Sequence, residues 1–386
     1  MAELSWTKNQ HKQTGKHEHE KINREAMNHA VNFHKSLPDY AETPLYELHS
    51  LAENLGIAGI SVKDEGVRFQ QGSFKVLGSS YALAAYLSDY YELEFPPRLE
   101  KLQHLSPHIF ATATDGNHGR GLAWSAKLLN QHANVYLPKG AARERLDIVQ
   151  QLGATAEMTD INYDETVRYV QKKAEENDWI VAQDTAWEGY TVFPTWIMQG
   201  YLTIVSELLD QIHEMKNPTH LILQAGVGSF AGAIAGLCKQ IFGDRIKILV
   251  VEPTRADGLY QSALAEDGQP RPTSGDLSTN MAGLSCGEPN PLAWDILKRS
   301  ADGFVTCSDT VATEGARLLE QNDPPIDAGE AGAVPVGLWH EIMTNDDYTD
   351  LKEHLELNEN AQVLLINTES STCKENLAYR QAWRKP

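Results

Sequence analysis

The sequence predicts an α/β protein with mostly parallel sheets. Two observations carry this. Short runs of near-continuous Val, Ile and Leu recur along the chain, and amphipathic helical segments separate them. A third observation, glycine-rich or small-residue turns directly after several strands, marks strand ends at which such sheets bind ligands.

The leader "MAELSWTKNQHKQTGKHEHEKINREAM" reads as charged and poorly periodic, without the apolar core of a signal peptide. Its histidines do not fall at the spacing of a metal site. "TPLYELHSLAENLG" reads as a helix, followed by a strand ending in "VKDEG" and a helix opening at "KVLGSSYALAAYL". "HIFATAT", "NVYLPKG", "WIVAQD", "HLILQAG", "IKILVVEP" and "QVLLINTE" are then the strands. "GRGLAWSAKLLNQ", "RERLDIVQQLG", "TWIMQGYLTIVSELLDQI" and "SFAGAIAGLCKQIF" are the helices between them. The charged "YYELEFPPRLEKLQ" and the later "QDTAWEGYTVFP" read as crossings between domains. They predict a large domain from 1–94 and 188–386, with a smaller α/β domain at 95–187 inserted into it.

At 386 residues the chain is long enough for two or three domains. A net charge of −20 argues against nucleic acid and anionic membrane surfaces as partners, because both would repel it. No apolar run approaches the roughly 20 residues of a membrane span. The expected setting is the cytoplasm. Cys238, Cys286, Cys307 and Cys373 form no CxxC pair, and whether Cys286 and Cys307 meet is not fixed by their spacing.

Three strand ends are chemically unusual. In "LILQAGVGSFAGA" a strand runs through Gly226, Gly228 and Ser229 into a helix, which is a phosphate cradle: glycines admit an anion and the helix start offers free N–H groups. In "TATDGNHGRG" a strand turns through Thr114, Asp115, Asn117 and His118, small and polar groups at a helix start that suit a carboxylate or phenolate oxygen. In "LLINTESST" a buried strand ends on Thr368. Earlier, Lys75 in "QQGSFKVLG" stands in an apolar stretch at the start of a helix, where burial favours a neutral, nucleophilic amine.

Two chemistries use these parts. A nicotinamide dehydrogenase would take Gly226-x-Gly228-x-x-Ala231 as its dinucleotide fingerprint, with Glu252 as the ribose-binding acid. It leaves "GSFK" and "DGNHG" without a role. A phosphate-bearing aldehyde cofactor uses all of them: Lys75 forms the Schiff base, the glycine loop holds the phosphate, and Asn117 meets the ring hydroxyl. An acidic, cofactor-free binding module on the same fold is the non-catalytic alternative.

The order SFK, xGNHG, glycine-rich loop and a terminal strand ending in Ser/Thr resembles the tryptophan-synthase-β-like, fold-type II pyridoxal-phosphate enzymes, over about residues 45–375. Serine/threonine dehydratases of that family usually read "SFKxRGA" and "SSGNH". Here Leu77 replaces the arginine and Asp115 the second serine. Those departures, with "VKDEGVRF", "QDTAWEGYTVFPTWIMQGY", "MAGLSCGEPNPLAWDIL" and "GEAGAVP", resemble the diaminopropionate ammonia-lyases. A serine/threonine dehydratase-like lyase is the alternative.

The resemblance implies pyridoxal 5′-phosphate and α,β-elimination from D- and L-2,3-diaminopropionate, giving pyruvate and ammonia, in a homodimer. It implies Lys75 and Asp115 as catalytic groups, and Gly226, Gly228 and Ser229 on the phosphate. Gly283 would lie over the ring, Thr368 at the ring nitrogen, and Glu330 in a cofactor-side segment. Thr114, Asp115, His118 and Asp184 would meet the substrate.

Overall fold

The computed structural model describes residues 4–15, 17–114, 116–212 and 217–371. Eleven strands are found among them: β1 Leu4–Lys8, β2 Leu45–Glu47, β3 Gly59–Asp64, β4 Ile109–Ala113, β5 His132–Leu137, β6 Thr155–Met158, β7 Ile180–Val181, β8 His220–Gln224, β9 Lys247–Pro253, β10 Gly303–Cys307 and β11 Gln362–Asn367. Seven form one sheet in the order β1-β10-β9-β8-β11-β3-β2, and four form a second in the order β6-β5-β4-β7. Among these strands only the edge strands β1 and β2 pair antiparallel, and the others pair parallel. Central strands are buried along their length, which is why they read as unbroken apolar runs. All four strands of the second sheet lie between Ile109 and Val181.

Three expectations need correction. Only the end of "TPLYELHSLAENLG" is helical, at His49–Asn54; Leu45–Glu47 pairs antiparallel with β3. Pro44 disfavours helix just before it, and the three-residue strand is too short to show a period of its own. "TWIMQGYLTIVSELLDQI" is two helices, Val192–Gly200 and Leu202–Gln211, meeting at Tyr201. The leader contains β1 and the start of the helix Arg24–Lys35, which opens on an Asn23 side-chain cap. Its histidines have protein partners: His11 bonds the Ala265 carbonyl, His17 pairs with Asp244, and His19 accepts from the Lys21 and Ile22 amides.

The fold places Lys75 by clamping its helix, Lys75–Tyr90, between two others. A Cβ on Gly121 would lie 3.0 Å from the Val76 nitrogen, and one on Gly200 would lie 2.5 Å from the Leu77 carbonyl oxygen. Glycine at both crossings lets the backbones approach. Leu77, the residue in place of the dehydratase arginine, is fully buried in this contact. The loop ahead of Lys75 is anchored by a buried ionic cluster. Lys63 Nζ lies 2.7 Å from Glu207, and Arg68 lies 2.7 Å from both Glu65 and Glu207. Two cations and two carboxylates balance, and Thr43 and Gln211 take further bonds, which offsets the desolvation cost. This is what "VKDEGVRF" does.

Candidate active site

Adjacent strands of both sheets deliver the candidate residues to one cavity. From the large sheet, β8 runs into Gly226–Ser229, β11 ends before Thr368, and β3 leads through the Glu65–Gln70 turn to Lys75. From the second sheet, neighbours β4 and β7 end before Thr114–Asn117 and Asp184. The cavity encloses about 640 Å³ including its mouth. Lys75, Thr114, Asn117, His118, Asp184, Gly226, Gly228, Ser229, Gly283 and Thr368 all line it. Asp115 lies outside the described residues.

Lys75 Nζ sits 2.5 Å from Asp184 Oδ2 and 5.5 Å from the centre of the Phe74 ring. Burial pushes the Asp184 carboxyl up, but the charges of Lys75 and His118 outweigh it and hold the group down at about 2. The Tyr163 hydroxyl, at 3.4 Å, also donates to Asp184. His118 bonds the Ala182 carbonyl through Nε2 at 2.7 Å, and the Thr114 hydroxyl accepts from the Gly116 and Gly119 amides, so both also shape the turn.

The loop between β8 and the next helix turns tightly. Gly228 has φ +97°, a left-handed conformation that glycine adopts without strain, and the 14-residue helix begins at Ser229. A Cβ on Gly226 would lie 3.1 Å from the Gly283 carbonyl oxygen and 3.2 Å from Cys286 Sγ, so a side chain would crowd the cavity. The Ser229 hydroxyl, however, donates to the Asp184 carbonyl at 2.5 Å and accepts from Asn290 at 2.8 Å. It ties the loop to the Asp184 backbone.

At the opposite end, Thr368 Oγ1 accepts from Gln224 Nε2 at 3.0 Å, and the Thr368 carbonyl accepts from the Phe74 amide at 3.2 Å. The floor is thereby bonded to the residue preceding Lys75. Gln224 Oε1 is buried in the cavity wall with no protein partner. The sequence reading missed Gln224, Tyr163, Asn290 and Glu369. Gln224, Asn290 and Glu369 stand inside stretches it used, yet a polar residue beside a glycine loop carries no periodic signal. Glu330 is buried at the start of Glu330–Thr344, but its neighbour Ala331 lines the cavity. Cys286 and Cys307 are not disulfide-bonded to each other.

Glu252 is not a ribose acid. It is buried and accepts from the Leu259 and Tyr260 amides at 2.9 and 2.7 Å, so its carboxyl caps the next helix. Burial raises its pKa well above the usual carboxylate range. The dinucleotide reading loses its second element.

An amine on a clamped helix, an anion cradle facing it and a hydroxyl at the far end fit pyridoxal phosphate, and they define a pyridoxal-phosphate enzyme. The family model "Pyridoxal-phosphate dependent enzyme" matches residues 37–369. The diaminopropionate ammonia-lyase of Salmonella typhimurium is 44% identical over 368 residues, covering 91% of this chain and 90% of the relative. Two crystal structures of diaminopropionate ammonia-lyase from Escherichia coli superpose over 99% of this chain and 97% of theirs at 40% identity. One is in complex with an aminoacrylate-PLP azomethine reaction intermediate (TM-score 0.91) and one with D-serine (0.92). The chain belongs to the pyridoxal-phosphate dependent enzymes, and within them to the diaminopropionate ammonia-lyase family. Among the described residues no helix is long and apolar enough to cross a membrane.

Proposed function

We propose that this protein eliminates ammonia from D- and L-2,3-diaminopropionate, releasing pyruvate and a second ammonia. The observation that carries this reading is the Lys75–Asp184 pair inside the cavity. It sets a carboxylate that stays ionised against the cationic amine of Lys75, a place able to seat an ammonium, and the substrate has two amines.

Bound pyridoxal phosphate supplies an electron sink that lets the substrate α-proton leave. Lys75 is its covalent anchor. The amides opening Ser229–Phe242, with Gly226 and Gly228, would hold the phosphate; Asn117 would bond the ring oxygen, Gly283 would bound the ring, and Thr368 would bond the ring nitrogen. A neutral hydroxyl at that nitrogen does not require a proton there, which favours fast loss of a β leaving group over transamination. Lys75 Nζ takes the α-proton on its own face, and Asp115 serves the opposite face and hence the other stereoisomer. Thr114 and His118 hold the turn against the substrate carboxylate, and Asp184 anchors a substrate ammonium. Phe74, Tyr163 and Leu284 supply apolar and aromatic surface to the same cavity.

The two sheets support a large cofactor domain of residues 1–94 and 188–386 around a small domain of 95–187. The family likeness supports a homodimer and a cytoplasmic setting. Pyruvate and ammonia release from D- and L-diaminopropionate, run beside serine and threonine, tests the function. The reading expects one pyruvate and two ammonia per diaminopropionate of either hand. Turnover of serine and threonine alone would move the chain to the dehydratase alternative.

A further inference from the structure

Glu369 is a buried acid on the cavity wall that the mechanism above does not use. It stands at a junction of four segments. Its backbone bridges Ser73, just ahead of Lys75, and its carbonyl accepts from the Gly329 amide at 2.9 Å. Its side chain runs along the start of the Glu330–Thr344 helix, where a Cβ on Gly329 would lie 2.5 Å from Glu369 Oε1. Glycine there makes the slot that admits the side chain. From this slot Oε2 accepts a hydrogen bond from Asn117 Nδ2, at the start of the helix leaving the second sheet.

A carboxylate accepts and an amide can face either way, so this contact has a consequence. Were the Asn117 amide reversed, two oxygens would oppose each other in a buried site. Glu369 therefore fixes the nitrogen of Asn117 toward itself, leaving the second N–H of that nitrogen as the donor for the cavity. A ring oxygen that accepts needs that donor. We propose that Glu369 is a positioning residue for the cofactor: through Asn117 it orients and polarises the N–H offered to the ring oxygen. This rests on the reading in which Asn117 meets that oxygen.

The test uses holoenzyme and reads the dissociation constant of pyridoxal phosphate and the ratio of its two long-wavelength absorbance bands at one pH. Glu369→Gln keeps the shape but removes the charge. Glu369→Asp keeps the charge but withdraws it by one methylene, and serves if the glutamine variant fails to fold. Each should change the band ratio at least twofold and weaken cofactor binding about tenfold, the scale of one charge-assisted hydrogen bond. In an Asn117→Ala background neither should change anything further. The same loss in both backgrounds would show that Glu369 acts independently of Asn117, and wild-type spectra in both Glu369 variants would show that it does not act at all; either overturns the inference. Asn117→Ala leaving both readouts unchanged would overturn the Asn117 reading itself and the inference with it.

Discussion

Lys75 Nζ and Asp184 Oδ2 are 2.5 Å apart in a cavity wall, one at the start of the helix that follows β3 of the large sheet and the other in the segment that follows β7 of the second sheet. The pair therefore joins the two sheets as well as the two chemical roles. Asp184 is held at about 2, the Lys75 charge outweighing burial, so its carboxylate is ionised throughout the range in which an enzyme works.

Asp184→Asn should raise KM for diaminopropionate at least tenfold with cofactor still bound, because an amide seats an ammonium poorly. A depressed carboxyl adds stability above its unfolded pKa near 4 and loses it as pH falls through about 2. In cofactor-stripped protein the substitution should thus cost about 2 kcal/mol at pH 7 and little at pH 2. Equal losses in urea titrations at both values would remove the charge from the explanation.

Thr368→Asp should slow elimination and let amino transfer appear, because a carboxylate stabilises a protonated ring nitrogen. Gln224 Nε2, now donating to the threonine hydroxyl, can donate to the new carboxylate, so the floor should hold. Unchanged elimination without any amino-transfer product would move the role to another residue, such as Ser370 or Ser371.

Asp115→Asn should lower the rate on D-diaminopropionate by about 100-fold or more, the scale of general base catalysis, and that on the L-isomer much less. Stereoisomer-resolved pyruvate assays read this directly. Equal losses would make Asp115 a shared binding group, and no loss would leave it a helix cap.

A homodimer should sediment at twice the 42.9 kDa chain mass at micromolar concentration. A species of one chain mass alone would contradict the assembly.

How much was legible follows from the range of each signal. The helix Ser229–Phe242 and the strands β8, β9 and β11 are visible because their apolar runs and bounding glycines are local. The four motifs are visible because strand ends in a parallel sheet converge on one side, so chain order alone brings Lys75, Asn117, Ser229 and Thr368 together. β1 was hidden because five residues of weak alternation are a strand only through pairing with β10, some 300 residues away. The close approach of Gly200 to Leu77 was hidden because it is a tertiary contact. The hydrogen bonds of Glu252 and of the Ser229 hydroxyl were hidden for one reason. Sequence shows which polar groups stand near a site, and not which ones the backbone has already claimed.

The central claim is that the cavity around Lys75 holds pyridoxal phosphate through that lysine. Borohydride reduction of the holoenzyme, digestion and mass spectrometry test it most directly. The reduced cofactor should be found on the peptide containing Lys75, and Lys75→Ala should fold but carry no reducible cofactor. Cofactor mass on a different lysine, or an unmodified Lys75 peptide from fully reduced wild-type protein, would contradict the account.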